Sequence, residues 1–186
     1  ENKIAAYTMP LGVYGQLMAA IGGKRPGILT HVGLHTYADP RQEGCKINDR
    51  AKEQGREIVE LVKVDGKDYL FYKAFHIDAC ILHASYADEL GNISLQDEPI
   101  RGELLELAAA VHNNGGTVIV EVKNIVKAGS LDPRQVLIHK SYVDYLVKTE
   151  KEDNIALAYS PSLIGDIRVP TEGSVKPLAL SYNCLL

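Results

Sequence analysis

The fold class follows from two neighbouring stretches, Pro10-Leu-Gly-Val-Tyr-Gly-Gln-Leu17 and Arg25-Pro-Gly-Ile-Leu-Thr-His-Val-Gly-Leu-His-Thr-Tyr-Ala-Asp-Pro-Arg41. The first stretch predicts an apolar helix that begins at Pro10. The N–H groups in the first turn of a helix have no intrahelical partner, so proline, which has no N–H, is well suited to that position. Gly22-Gly23 predicts the end of that helix. Residues 27–30 predict a short buried strand, and residues 31–56 predict a polar, glycine-containing loop. Loops at the carboxyl ends of strands bind ligands in α/β folds, so this loop is the first candidate site.

Further strands and a second helix follow along the chain. Asp65-Gly66 predicts the type I′ turn of a hairpin. The apolar run Ile77–Leu82 predicts a central strand covered on both faces. A helix is predicted at residues 100–112, and further strands are predicted at residues 117–122, 136–138 and 142–147. This alternation is typical of an α/β fold with a parallel or mixed sheet flanked by helices.

Composition narrows the class of partner. The 186 residues are 46% hydrophobic and 24% charged, with a net charge of −4. An acidic balance argues against a nucleic-acid surface, which needs a basic patch. The sequence contains no apolar run of the roughly 18 residues that a membrane helix needs, so no membrane partner is predicted. The three cysteines, Cys45, Cys80 and Cys184, share no metal spacing, and a sparse, odd set favours a reducing compartment. We therefore expect a cytoplasmic protein.

A series of short motifs is spread along most of the chain. They are Pro26-Gly27, Val32-Gly33-Leu34, Asp39-Pro40-Arg41, Lys46-Ile47-Asn48, Tyr69-Leu70-Phe71-Tyr72-Lys73, Gly91-Asn92-Ile93-Ser94, Gly115-Gly116 and Lys127-Ala128-Gly129-Ser130-Leu131-Asp132-Pro133-Arg134. In this order and spacing they resemble the family I CoA-transferases, in particular the propionate and acetate CoA-transferase type. The resemblance runs over roughly residues 3–147.

The resemblance implies an enzyme that exchanges CoA between a short-chain acyl-CoA and a free carboxylate. Its nucleophile is a glutamate that forms an acyl-glutamyl anhydride and then a glutamyl-CoA thioester. In the family this glutamate lies in a Glu-Asn-Gly-like motif of the second α/β half, and this chain contains no Glu-Asn-Gly. No catalytic residue is therefore assigned to this chain, and we expect it to be inactive on its own. CoA is implied as a substrate, and no permanently bound cofactor is implied.

The resemblance also sets the expected domain organisation. Residues 1–181 are expected to be a partial amino-terminal α/β domain, an incomplete first half, and residues 182–186 a divergent tail. The implied partners are an acyl-CoA, a short-chain carboxylate, and a missing second half or second subunit, with the chain in a homo-oligomer. The alternative from a different class is a truncated, non-catalytic remnant that acts at most as an oligomerising module.

Six residues are expected to line the carboxylate side of the substrate site: Leu11, Gly12, Gly33, Leu34, Asp39 and Arg41. The family has glutamine where Leu11 stands, and that amide could bind a carboxylate or thioester oxygen, whereas leucine cannot. Asp39 and Arg41 have two open interpretations. They could orient a ligand, or Asp39-Pro40-Arg41 could be a turn whose arginine pairs with a local carboxylate.

Two other groups contain chemically active residue types. His31, His35 and Cys45 match no zinc spacing, so no metal site is predicted. His83, Ser85 and Asp88 contain triad residue types, but the members of a triad meet in space rather than in sequence. They are therefore not predicted to form one.

Overall fold

The computed structural model describes residues 2–149. The tail expected at residues 182–186 and the last part of the expected domain lie outside the described residues. The helices are α1 (Leu11–Gly22), α2 (Asp49–Gln54) and α3 (Leu104–Asn113), with a 3₁₀ turn at Lys140–Tyr142. The strands are β1 (Gly27–Thr30), β2 (Val59–Val64), β3 (Lys67–Lys73), β4 (Ala79–Asp88), β5 (Ile93–Ser94), β6 (Thr117–Val126), β7 (Val136–Ile138) and β8 (Tyr145–Lys148).

A five-stranded mixed sheet forms the larger part of the fold. Its strand order is β7-β5-β4-β6-β8. Strand β6 pairs in parallel with both β4 and β8, whereas β5 pairs antiparallel with β4 and β7. Val118, Val120 and Val122 of β6 are fully buried and belong to the same core cluster as Ala108 and Val111 of α3. The predicted α/β class with a mixed sheet and flanking helices is confirmed.

The opposite face of this sheet is open among the described residues. Ile81 of β4 is 75% exposed and Tyr145 of β8 is 63% exposed. The prediction that the Ile77–Leu82 run is covered on both faces is therefore wrong there. The physical reason is that α3 packs against only one face, which buries Cys80 and Leu82 and leaves the alternate positions outside the core.

A three-stranded antiparallel sheet, in the order β1-β3-β2, forms the smaller part. The hairpin between β2 and β3 turns at Asp65 and Gly66, whose φ angles of 47° and 77° suit the predicted type I′ turn. Strand β1 lies where it was predicted, but it is a partly buried edge strand, because β3 is its one partner among the described strands.

Helix α1 joins the two parts. It follows Pro10 and ends at Gly22, as predicted. Its buried face includes Leu17, Met18 and Ile21, which pack with residues of the smaller sheet. A Cβ on Gly22 would lie 3.2 Å from the backbone nitrogen of Ala110 in α3, so the absence of a side chain allows α1 and α3 to approach closely.

Three boundaries differ from the prediction. Helix α2 lies inside the predicted loop at 31–56, begun by the Asn48 side chain, which accepts from the Ala51 N–H, and ended by Gly55 at φ 65°. Helix α3 begins at Leu104, not at residue 100, because Gly102 at φ 52° cannot continue a right-handed helix. Strand β8 begins at Tyr145, after the 3₁₀ turn at residues 140–142.

No helix within residues 2–149 is long and apolar enough to cross a membrane.

Candidate functional site

The loop between β1 and α2 is built around the buried carboxylate of Asp39. The side chain of Asp39 is fully buried, and it accepts from the backbone N–H of His35 at 2.8 Å and of Arg41 at 3.0 Å. The Arg41 guanidinium completes a bidentate pair, with Nε 3.0 Å from Oδ1 and Nη2 2.7 Å from Oδ2. Two parallel charge-assisted bonds of this kind are strong and fix geometry.

Arg41 is held on both sides. Its Nη1 lies 3.1 Å from Asp68 Oδ2, on strand β3. The hydrogen bonds from the Arg41 side chain, followed by those from the loop backbone, hold the pKa of the Asp39 carboxyl well below its usual range. The Asp39 carboxylate is therefore ionised at neutral pH and ties the loop to the smaller sheet. The sequence leaves two interpretations of Asp39 and Arg41 open, and these contacts show that the two residues order the loop.

Gly33 and Leu34 also have packing roles. Gly33 has a φ of 98°, and a Cβ there would lie 2.4 Å from the Tyr72 hydroxyl oxygen. That hydroxyl donates to the Val32 carbonyl at 2.9 Å. Leu34 packs against the core cluster of the smaller part. Only glycine allows the loop to pass this close to Tyr72.

A cavity of about 530 Å³ lies at the start of α1. We call it the Leu11 cavity; it is lined by Tyr7, Thr8, Met9, Leu11, Tyr14, Arg56, Ile58 and Phe75. Leu11 is 73% exposed, and Gly12 has open space where a Cβ would stand. The other five predicted site residues do not line this cavity: Gly12, Gly33, Leu34, Asp39 and Arg41. Of the six predicted site residues, Leu11 alone lines the cavity, and the four loop residues among them lie elsewhere.

A second cavity, of about 370 Å³, shares Tyr14 with the first and is lined by His83, Glu98 and Glu103 among others. Burial, and then the Glu103 carboxylate, raise the pKa of Tyr14. His83 Nε2 lies 3.6 Å from Glu98 Oε1, and His83 Nδ1 lies 3.8 Å from Glu121 Oε2. This cluster joins strands β4 and β6 where they pair in parallel.

The three triad residue types, His83, Ser85 and Asp88, lie on β4 and have separate roles. Ser85 Oγ donates to Glu98 Oε1 at 3.2 Å and accepts from the Asp97 N–H. Asp88 instead accepts from the backbone N–H groups of Leu90 and Asn92 in a turn. Ser85 therefore contacts a glutamate, and Asp88 orders a turn.

The three residues considered for a metal lie in different environments. The His31 ring packs against the Tyr69 ring at a tilt of 35°, with ring centroids 4.2 Å apart. His35 has a φ of 62° in the loop. Cys45 is buried in the core, and burial raises the pKa of its thiol to about 11. Among residues 2–149, no group of three or more His, Cys, Asp or Glu residues is placed to hold a metal ion.

Comparison with known proteins identifies the family. The family model for coenzyme A transferase matches residues 1–149. The chain belongs to the coenzyme A transferase family. It is 40% identical over 173 residues to the caffeate CoA-transferase of Acetobacterium woodii, covering 91% of this chain and 32% of that relative. It is 40% identical over 147 residues to the acetate CoA-transferase YdiF of Escherichia coli, covering 79% of this chain and 27% of that relative.

A solved coenzyme A transferase shares the fold. The Escherichia coli acyl-CoA transferase YdiF, in a thioester complex with CoA, superimposes with a TM-score of 0.81 at 35% identity, covering 91% of this chain and 35% of that one. The glutaconate coenzyme A-transferase of Acidaminococcus fermentans, at 14% identity and a TM-score of 0.60, shares the fold alone. The chain thus spans about a third of the curated relatives that it matches at 40% identity.

Most of the Leu11 cavity has no signal in the sequence of this coenzyme A transferase family member. Tyr7, Ile58 and Phe75 come from three separate segments and stand in no recognisable motif. Arg56 is one basic residue among many in a polar stretch. The one available signal was Leu11 itself, an apolar residue in a helix-starting turn.

Proposed function

We propose that this chain is the part of a CoA-transferase that binds and orients the carboxylate substrate. The whole enzyme exchanges CoA between a short-chain acyl-CoA and a free carboxylate. The observation that carries this proposal is the 0.81 TM-score to an acyl-CoA transferase whose structure holds a CoA thioester. The family match over residues 1–149 supports it independently.

The reaction divides into balanced steps around a glutamate outside this chain. The glutamate carboxylate attacks the thioester carbonyl, CoA leaves as the thiolate, and an acyl-glutamyl anhydride forms. The thiolate then attacks the glutamyl carbonyl, which releases the first carboxylate and leaves a glutamyl-CoA thioester. A second carboxylate then attacks the glutamyl-CoA thioester, and the same two steps run in reverse, which forms the second acyl-CoA and frees the glutamate. Both free acids must be held by their carboxylates, and this chain supplies that side of the site.

The start of α1 suits a carboxylate. Within residues 2–149, no side chain caps this helix terminus. The first backbone bond of the helix is donated by Val13 to the Pro10 carbonyl at 2.9 Å. The backbone N–H groups of Leu11 and Gly12 precede that bond, at the positive end of the helix dipole. Leu11 and Gly12 are therefore assigned to substrate binding. Gly33, Leu34, Asp39 and Arg41 contribute by holding the neighbouring loop in place.

The enzyme needs a second α/β unit, carried by a further segment or by a separate polypeptide. A relative at 30% identity, from Helicobacter pylori, is named as one of the subunits of a succinyl-CoA:3-ketoacid coenzyme A transferase. We extend the proposal to a homo-oligomer in the cytoplasm, consistent with Cys45 and Cys80 as free, buried thiols. CoA acts as a substrate and is not permanently bound.

A chimaera tests the proposed function. Residues 2–149 of this chain replace the matching segment of the Escherichia coli acetate CoA-transferase, and transfer of CoA from propionyl-CoA to acetate is measured. We expect transfer clearly above that of the same chimaera with its catalytic glutamate replaced by glutamine. A folded chimaera that transfers no CoA would support the remnant interpretation instead.

In the same chimaera, Leu11→Gln is expected to raise kcat/KM for acetate about tenfold. A hydrogen bond to a charged oxygen contributes about 1.5–3 kcal/mol, and 1.4 kcal/mol corresponds to a factor of ten. Steady-state kinetics measure the change. Leu90→Gln is the matched control, because Leu90 is 55% exposed and lies outside the Leu11 cavity. Equal kinetics for Leu11→Gln and the parent chimaera would mean that position 11 does not contact the substrate.

A further inference from the structure

The Leu11 cavity is far larger than a two- or three-carbon acid requires. Its volume of about 530 Å³ falls within the range of about 300–1,000 Å³ typical of sites for larger organic ligands. The walls of the cavity are mostly apolar, and burial of an apolar tail against them is favourable in a way that propionate, with its two-carbon tail, can hardly use. The cavity therefore suits an acid with a bulky apolar tail.

The walls of the cavity are apolar and well supported. Ile58 is 9% exposed, and Tyr7, Met9, Tyr14 and Phe75 pack against the buried core cluster of the smaller part. Three of the lining residues carry aromatic rings, which present flat faces and edges for stacking with another ring. Since the walls rest on the core, the pocket is largely formed before a ligand enters.

Arg56 is the one charged residue among the described residues that line this cavity. The acidic residues nearest to it in sequence have other partners, because Glu53 pairs with Arg50 and Glu57 pairs with Lys46. No ion pair of Arg56 occurs within residues 2–149. An arginine with no ion pair in this part of the chain, beside an apolar cavity, suits the planar carboxylate of an amphiphilic acid.

We infer that the Leu11 cavity binds a carboxylic acid with a phenyl-sized apolar tail, whose carboxylate pairs with Arg56. This inference rests on the proposed function and names the substrate class of the same site. The aromatic walls hold the tail, and the side chain of Leu11 adds apolar surface to the same cavity. Arg56 supplies the charged contact to the carboxylate that Leu11 cannot make.

Binding to the 186-residue chain tests this inference without CoA or transfer. The probes are 3-phenylpropionate, propionate and the neutral 3-phenylpropionamide, titrated by calorimetry and by ligand-observed NMR. We expect 3-phenylpropionate to bind at least tenfold more tightly than propionate. Arg56→Gln should weaken 3-phenylpropionate about tenfold and leave the amide unchanged, because only the acid pairs with the guanidinium.

Two further variants guard against an indirect effect. Arg56→Lys keeps the positive charge and should retain part of the affinity. Arg25→Gln removes the same charge from an exposed arginine that does not line the cavity, and it should change nothing. Circular dichroism confirms that each variant is folded.

The inference is overturned if propionate binds as tightly as 3-phenylpropionate, if no acid binds, or if Arg25→Gln and Arg56→Gln have equal effects. If any of these results occurs while the chimaera is active, the proposed substrate class is wrong and the proposed function still stands. An inactive chimaera together with Arg56-dependent binding removes the proposed function but keeps the binding site.

Discussion

The 186-residue chain, assayed alone with propionyl-CoA and acetate, is expected to transfer no CoA above background. The proposed mechanism is covalent, and this sequence contains no Glu-Asn-Gly motif to supply the glutamate. Removal of the nucleophile from a covalent mechanism costs on the order of a million-fold in rate, judged from a serine protease. Formation of acetyl-CoA, followed by chromatography, measures the rate.

The chimaera described above is the positive control for this assay, because it adds the missing glutamate to the same residues 2–149. Turnover by the isolated chain comparable to that of the chimaera would contradict the assignment of the nucleophile. It would mean that a carboxylate of this chain performs the attack.

Asp39→Asn is expected to lower the free energy of unfolding by about 2 kcal/mol, because hydrogen bonds to a buried charged group contribute about 1.5–3 kcal/mol and the Arg41 side chain is 41% exposed. Asp39 is fully buried and bonds Arg41 through two atoms as well as two loop N–H groups. Urea unfolding followed by far-ultraviolet circular dichroism measures the change. Asp68→Asn, which removes the more exposed partner of Arg41, should cost less than about 1 kcal/mol.

The same substitution should change the response to acid. The folded-state pKa of Asp39 is held below its unfolded value of about 3.9. Its contribution is therefore complete above about pH 5 and is lost progressively as the pH falls through about 3.9 toward the folded-state pKa. Asp39→Asn should lack this part of the acid destabilisation. Equal losses of stability for the two proteins between pH 5 and pH 2 would show that Asp39 does not hold the loop.

Elements with strong local signals could be predicted from the sequence. Asp65-Gly66 predicted the hairpin turn, Pro10 predicted the start of α1, and the β-branched run at residues 117–122 predicted a core strand. The structure has all three. Helix α2 could not be predicted from periodicity, because its six residues bury only Ala51. The late start of α3 follows from the backbone of Gly102, whose left-handed conformation the apolar pattern does not reveal.

The candidate site could be predicted only in part, because burial is a tertiary property. The sequence placed Asp39 and Arg41 in one loop, but the strand that supplies Asp68 lies further along the chain. Without that contact, a ligand role and a loop-ordering role look alike. The Leu11 cavity gathers Tyr7, Arg56 and Phe75 from distant segments, so no local pattern identifies it.

The most direct test of the central claim is to locate the covalent intermediate in the chimaera. After incubation with propionyl-CoA, borohydride reduces a glutamyl thioester to an alcohol, and peptide mass spectrometry identifies the marked residue. We predict one mark, on a glutamate in the segment from the relative, with residues 2–149 unmarked. A folded chimaera with no mark, or with the mark on a carboxylate within residues 2–149, would contradict the account.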